Sequence, residues 1–271
     1  MEIRKLLGCL LTLFCSAAYT SEPLPAWQGL AFEQHTLWAT AQSVISLDAR
    51  PGAGDNWQLT VSSSVARSSE EIILSFSADT GRAARRTRLS RGKDQRVKTY
   101  VYGEDAIVRE RREPTGQREL PQSEWPLSSE REINYPGDPN QPPVTTSYAL
   151  TVLADRFRQS GESSTQYVVH TDLNFYRVTL SRGESKVIDV DYTLQGDGQV
   201  SGKRRADCIL VRAVPEGPQE DKADFSLLGL GGEISLYYDK ESGLLLQLRG
   251  VAPRLGKTSI DLTAATLRDT P

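Results

Sequence analysis

The run Leu244-Leu245-Leu246-Gln247-Leu248 follows a turn made of Asp239, Lys240, Glu241, Ser242 and Gly243, and it puts leucine on both faces of a strand. A strand with one face in water alternates apolar and polar residues, so a near-continuous apolar run requires apolar cover above and below. That cover is protein or a ligand, and the residues alone leave both open. The stretch from Gly231 to Asp239 supplies the partner arm of a hairpin.

Most of the chain beyond residue 20 has the period of two that marks strands. Trp57, Leu59, Val61 and Val65 point one way while Gln58, Thr60, Ser62 and Ser64 point the other, and Ile72, Leu74, Phe76 and Ala78 repeat the pattern. Turn-forming residues punctuate the series, as in Gly54-Asp55-Asn56, Asp79-Thr80-Gly81 and Gly103-Glu104-Asp105. Later strands are expected over residues 167–180, 186–194, 207–214, 234–239, 244–249 and 257–267.

The middle of the chain breaks the pattern. Pro136, Pro139, Pro142 and Pro143 make residues 135–143 a loop, because proline removes backbone donors and excludes helix. After it, Thr146 or Ser147 can cap a helix whose stripe is Ala149, Leu150, Leu153 and Phe157, with Arg156, Arg158 and Gln159 opposite and Gly161 as the stop. The expected fold class is mainly β (α+β): a curved antiparallel sheet, or half-open β-barrel, with one covering amphipathic helix. Residues 21–271 read as a single domain, since splitting at the proline loop would leave two sheets with uncovered apolar faces.

Residues 1–20 stand apart. Arg4 and Lys5 precede an apolar run from Leu6 to Cys15 and the small residues Ser16, Ala17 and Ala18, the layout of a cleavable secretory signal peptide. The run is about half of what a membrane-spanning helix needs. Leu6-Leu7-Gly8-Cys9 has the residue types of a lipid-attachment box, but it sits directly after Lys5 with apolar sequence still to come. Export removes Arg4, Lys5 and Glu2, which makes the net charge of −3 one unit more negative. That balance argues against a nucleic-acid partner, whose binding domain should be basic. Cys9 and Cys15 leave with the signal, and Cys208 remains alone in the apolar run Cys208-Ile209-Leu210-Val211, where it reads as a small buried hydrophobe.

Reaction chemistry is sparse. His170-Thr171-Asp172 offers an imidazole and a carboxylate on one side of a strand, the start of a hydrolase constellation, but no G-x-S-x-G elbow accompanies it, and a surface histidine with a solvated neighbour is the plainer reading. His35, His170 and Cys208 have no zinc spacing, and Asp189, Asp191 and Asp197 lack the compact loop of a calcium site. No metal, cofactor or catalytic residue is assigned. The most unusual feature is cationic: Arg86, Arg88, Arg96, Lys98, Arg109 and Arg111 can align across three successive strands. Arg86, Arg88, Arg96 and Lys98 are candidate anion contacts, guanidinium being suited to phosphate, and the alternative is a solvated face paired with Glu104, Asp105, Glu110 and Glu113. The Gly-rich, apolar residues 225–232 form either a flap at a cavity mouth or a packed connection.

Residues 76–88 with 98–102, residues 121–153 and residues 234–262, where a hairpin ending in Leu248-Arg249-Gly250 is followed by Gly256 and an alternating last strand, resemble a family of exported bacterial proteins known by a domain of unknown function, DUF3108. That family is similar in architecture to the LolA and LolB lipoprotein carriers, in which a half-open barrel wraps an apolar cavity lidded by a helix. The resemblance implies a periplasmic, non-catalytic binding protein. It would hold a lipid, acyl chain or envelope protein against a concave face lined by Leu150, Leu153, Phe157, Leu228, Leu230, Leu236, Tyr238, Leu244, Leu246 and Leu248. The rival expectations are a structural or assembly factor whose core is filled by its own side chains and, third, a hydrolase using His170 and Asp172.

Overall fold

Pairing satisfies the backbone of an alternating strand, but its apolar face still needs cover, which a curved sheet supplies to itself. A computed structural model describes residues 24–35, 40–49, 56–115, 121–220 and 225–268. The leader expected over residues 1–20 lies outside them, as do Gly54 and Asp55 of one expected turn. The first half is a meander of β1 (Trp27–His35), β2 (Thr40–Asp48), β3 (Asn56–Val65), β4 (Ser68–Ser77), β5 (Ala83–Arg91), β6 (Arg96–Tyr102), β7 (Ala106–Arg112) and β8 (Leu127–Asn134), each pairing antiparallel with the next. The second half comprises β9 (Val144–Thr145), α1 (Leu150–Ser160), β10 (Ser164–His170), β11 (Phe175–Arg182), β12 (Lys186–Leu194), β13 (Gly198–Glu216), β14 (Gly231–Asp239), β15 (Leu245–Ala252) and β16 (Gly256–Leu267). Since β16 pairs antiparallel with β1, the described strands belong to one large curved sheet. The described residues are mainly β with one short α-helix.

The sheet departs from the expected antiparallel pattern at two short parallel pairings, β9 with β10 and β12 with β16. The second closes a circuit. β12 pairs with β13, β13 with β14, β14 with β15 and β15 with β16, and β12 returns to β16 at Ala264 and Ala265. β12 buries Ile188 and Tyr192 in the same core as Leu244, Leu245, Leu246 and Leu248, while Val187, Asp189 and Asp191 stay exposed on its other side. Tyr238 meets α1, its hydroxyl donating to the Thr151 carbonyl at 2.8 Å. This explains the two-faced strand: Leu244, Leu245, Leu246 and Leu248 are all buried, and each contributes roughly 1.5–3 kcal/mol of transfer free energy.

Residues 147–149 form a 3₁₀ turn, so the chain enters α1 differently from the expected capping. Thr146 makes no side-chain cap bond; its carbonyl instead accepts from the Ala149 amide at 3.2 Å. Gly161 ends the helix in the left-handed region, as its position implied. The helix is buried beyond the expected stripe: Thr151, Val152, Ala154 and Asp155 are covered together with Leu150, Leu153 and Phe157. Its first turns are enclosed because the sheet reaches them from opposite sides. Leu153 packs on Gly81 at the β4–β5 turn, Arg156 donates to the carbonyls of Ala78 and Asp79, and Arg182 of β11 donates to the Arg158 carbonyl at 3.2 Å.

The strand expected over residues 167–180 is two strands. Residues 171–174 turn between them, with the Thr171 amide bonded to the Asn174 carbonyl at 2.9 Å, and Asp172, Leu173 and Asn174 leave the ladder. Residues 135–143 are irregular apart from a bridge between Asn140 and Pro143. No helix among the described residues is long and apolar enough to cross a membrane.

The contact between Gly81 and Leu153 is testable. A Cβ at Gly81 would lie 2.7 and 2.9 Å from the two Leu153 methyls, on a backbone at φ +74°. Gly81→Ala should cost about 1–3 kcal/mol and Leu153→Ala about 2–5 kcal/mol in urea unfolding. The double variant should cost less than their sum, because shortening Leu153 removes the collision; strict additivity would show that the two residues do not share this contact.

Candidate functional site

The strand registers fix which side chains share the concave face of the meander. One cross-strand row runs Leu47, Leu59, Leu74, Arg86, Tyr100, Arg109, and the next runs Ile45, Val61, Ile72, Arg88, Lys98, Arg111. Both rows are apolar on β2 to β4 and turn cationic from β5 to β7, with Tyr100 standing between Arg86 and Arg109. A third row on the same face, Ser43, Ser63, Glu70, Ser90, Arg96, is polar from end to end. The alignment expected of the six cations is therefore real, with Arg96 one row above the rest.

The turn at residues 171–174 packs against the cationic part of these rows. Asp172 accepts hydrogen bonds from Lys98 and from the Tyr100 hydroxyl, and Arg109 stands 3.8 Å away. Burial by itself would raise the Asp172 carboxyl, but the bonds from Lys98 and Tyr100 and the charge of Arg109 hold it down at about 2. Burial pulls the Lys98 ammonium below the ordinary lysine value, and Asp172 opposes that pull. Arg86 is 4% exposed, stacks over the Tyr100 ring with 3.9 Å to the centroid, and donates to the carbonyls of His170 and Thr171. Among the described residues it has no carboxylate partner, and its Nε has no hydrogen-bond acceptor.

The expected surface histidine is instead fully buried. His170 sits among the rings of Tyr100, Tyr102 and Phe175, with Nδ1 3.1 Å from the Tyr102 hydroxyl. Burial and the nearby charge of Arg86 push the imidazole well below its usual value, so it is neutral at physiological pH. Because the strand ends at His170, the Asp172 carboxylate is turned toward Lys98, Tyr100 and Arg109 rather than set beside the imidazole. Burial also drives the Tyr102 phenol up to about 12. Among the described residues no group of three or more His, Cys, Asp or Glu side chains is placed to hold a metal ion.

Above the cationic rows lies a cleft of about 660 Å³. Its floor carries Ser43, Ser63 and Ser68, with Ser64 and Ser69 of the opposite face at the same strand ends, and its wall carries Arg86, Arg88, Arg91, Lys93 and Arg96. Thr171 and Asp172 close one end, and Ser226, Leu228 and Gly229 reach it from the loop before β14. Of the three carboxylates at the cleft, Glu70 is occupied by Arg88 at 2.7 Å and by the Tyr148 hydroxyl at 3.2 Å, Asp172 is occupied as described, and Asp94 stands beside Lys93 and Arg96 against five cations of the wall. Arg91, Lys93 and Arg96 have no ion-pair partner among the described residues, which leaves the wall net positive.

Of the four cations singled out from sequence, Arg86, Arg88 and Arg96 line the cleft and Lys98 lies behind Asp172. Among the apolar set only Leu228 reaches it; Leu150, Leu153, Phe157, Leu230, Leu236, Tyr238, Leu244, Leu246 and Leu248 are packed together in the core. The loop at 225–232 combines both expectations, with Phe225, Leu227 and Leu230 buried and its tip at the cleft mouth. On β7 the self-paired alternative holds locally, Arg111 with Glu113 and Arg112 with Glu110. Tyr100, Tyr148 and the serine row escaped sequence reasoning, because cross-strand register decides what they face, and Asp172 was singled out there only as a partner for His170. No protein-family model, curated protein or solved structure matches the chain.

The Asp172 cluster has a defined pH signature. A carboxyl near 2 when folded and about 3.9 when unfolded stabilises the fold by roughly 2 kcal/mol above pH ~4, a contribution that disappears as pH falls through about 2. Asp172→Asn should therefore lower the urea midpoint at pH 7, with the gap to wild type narrowing between pH ~4 and ~2. A gap that stays constant over that range would remove the carboxylate from the account.

Proposed function

We propose that the protein is a non-catalytic binding protein that holds an anionic ligand in the cleft above β5 and β6. The observation that carries this reading is Arg86, a buried guanidinium at the cleft wall without a carboxylate of its own and with an unused Nε. A buried cation left unneutralised is costly, and a ligand anion offsets that cost. Arg96, Arg91 and Lys93 add charge at the same wall, and a volume of about 660 Å³ falls in the range of small-ligand sites.

The half-open barrel with α1 across its concave side, a periplasmic location reached through the leader at residues 1–20, and membership of the DUF3108-like family belong to this proposal too. A lipid or acyl ligand fits it less directly, since nine of the ten apolar candidates are already packed against one another. An acidic head group held by Arg86, Arg88 and Arg96 is the part of the carrier expectation that the cleft supports.

The test is a calorimetric titration of the purified protein with pyrophosphate at low ionic strength. Saturable binding that weakens with added salt is expected. Arg96→Gln should reduce affinity about tenfold, the loss of one charge-assisted hydrogen bond, without moving the thermal midpoint. Absence of saturable binding by the wild type, or an Arg96→Gln variant that binds as tightly as the wild type, would overturn the proposal.

A further inference from the structure

Resting on the anion-binding reading, we infer that the ligand is an acidic saccharide, with its charged group at the arginine wall and its hydroxylated body along the serine floor. The sheet itself supplies the argument. The concave face of β2, β3 and β4 is apolar through two rows, Leu47-Leu59-Leu74 and Ile45-Val61-Ile72, and then turns to hydroxyls in the row holding Ser43 and Ser63. An inward face that changes character at one row is not continuing the core.

Ser43 and Ser63 are bonded to each other at 3.0 Å, and across β4 and β5 the same row continues through Glu70 and Ser90 to Arg96. The side-chain hydroxyls of Ser68 and Ser90, which share the face of Glu70, have no protein partner among the described residues, so each keeps a donor and an acceptor for something in the cleft. From β2 to β5 the row spans three strand spacings, about 14 Å, too long for a bare phosphate to touch both the serines and the arginines. A methylene chain laid on the same floor would leave these hydroxyls facing hydrocarbon. A body bearing its own hydroxyls meets them in kind, and sites of that design discriminate strongly against analogues that lack the hydroxyls. The cation wall then fixes the polarity: the acidic group lies toward Arg86 and Arg96, and the neutral rings lie toward Ser43 and Ser63.

Four probes separate the possibilities by titration of the full-length protein: inorganic phosphate, hexyl phosphate, glucose 6-phosphate and trigalacturonate. At least one of the two acidic saccharides should bind ten times more tightly than either inorganic or hexyl phosphate. Ser43→Ala/Ser63→Ala should abolish that advantage while leaving the affinity for inorganic phosphate unchanged, with the thermal midpoint as a check on folding. If the double variant does not fold, Ser90→Ala should reduce the advantage severalfold. Hexyl phosphate binding as tightly as the saccharides, or saccharides no better than phosphate, would overturn this inference while leaving the anion site standing. If none of the four binds, the anion site falls as well.

Discussion

The long sheet is held in its curve by α1. A helix whose first turns are covered on every side needs walls on every side, and here one wall is the β4–β5 turn at Gly81 while the opposite one is the Tyr238 face of the closed ring. Remove the helix and neither inner face has cover, because the apolar rows of β2 to β4 and the Tyr238 face both depend on what fills the concavity. The extra burial at Val152 and Ala154 turns an amphipathic element into the filling of the core.

Where the apolar filling stops, charge takes over. The rows that are leucine and isoleucine on β4 become arginine on β5 and tyrosine and lysine on β6, and the turn carrying Asp172 supplies their counter-charge. One carboxylate faces Lys98 and Arg109, and Arg86 is left with carbonyls and an aromatic ring. The imbalance is local, since Arg111 and Arg112 of β7 pair with Glu113 and Glu110. The charge surplus thus sits at the cleft, which is the physical reason for placing a ligand there.

Much of the architecture was legible because period-two alternation survives in single strands: β12 and β16 fall almost where Ile188, Tyr192, Ile260 and Leu262 place them. The arginines of β5 and β6 were legible for the same reason. What could not be read was what each face meets. Continuous apolar and aromatic residues hid the turn at 171–174, although Asp172 and Asn174 are turn formers, and with it went the true setting of His170. Ser63 reads as a solvent-side interruption of Leu59 and Val61, and only the pairing with Ser43 and Glu70 shows a polar row continuing an apolar face. The leucines of β15 announced two-sided cover, but the return of β12 to β16 through Ala264 and Ala265 has no local signal at all.

The pairing of β1 with β16 has a consequence in time. β1 finds its second neighbour only in β16, a contact separated by more than two hundred residues. Such topologies fold slowly, because loop closure must precede the reward. Until residue 267 emerges, the Trp27 to His35 segment presents a bare row of amides and carbonyls along one border, the kind of border that recruits strands from other chains. A chain synthesised from β1 towards β16 therefore passes through an adhesive stage, and its safe completion rests on the arrival of residues 256–267.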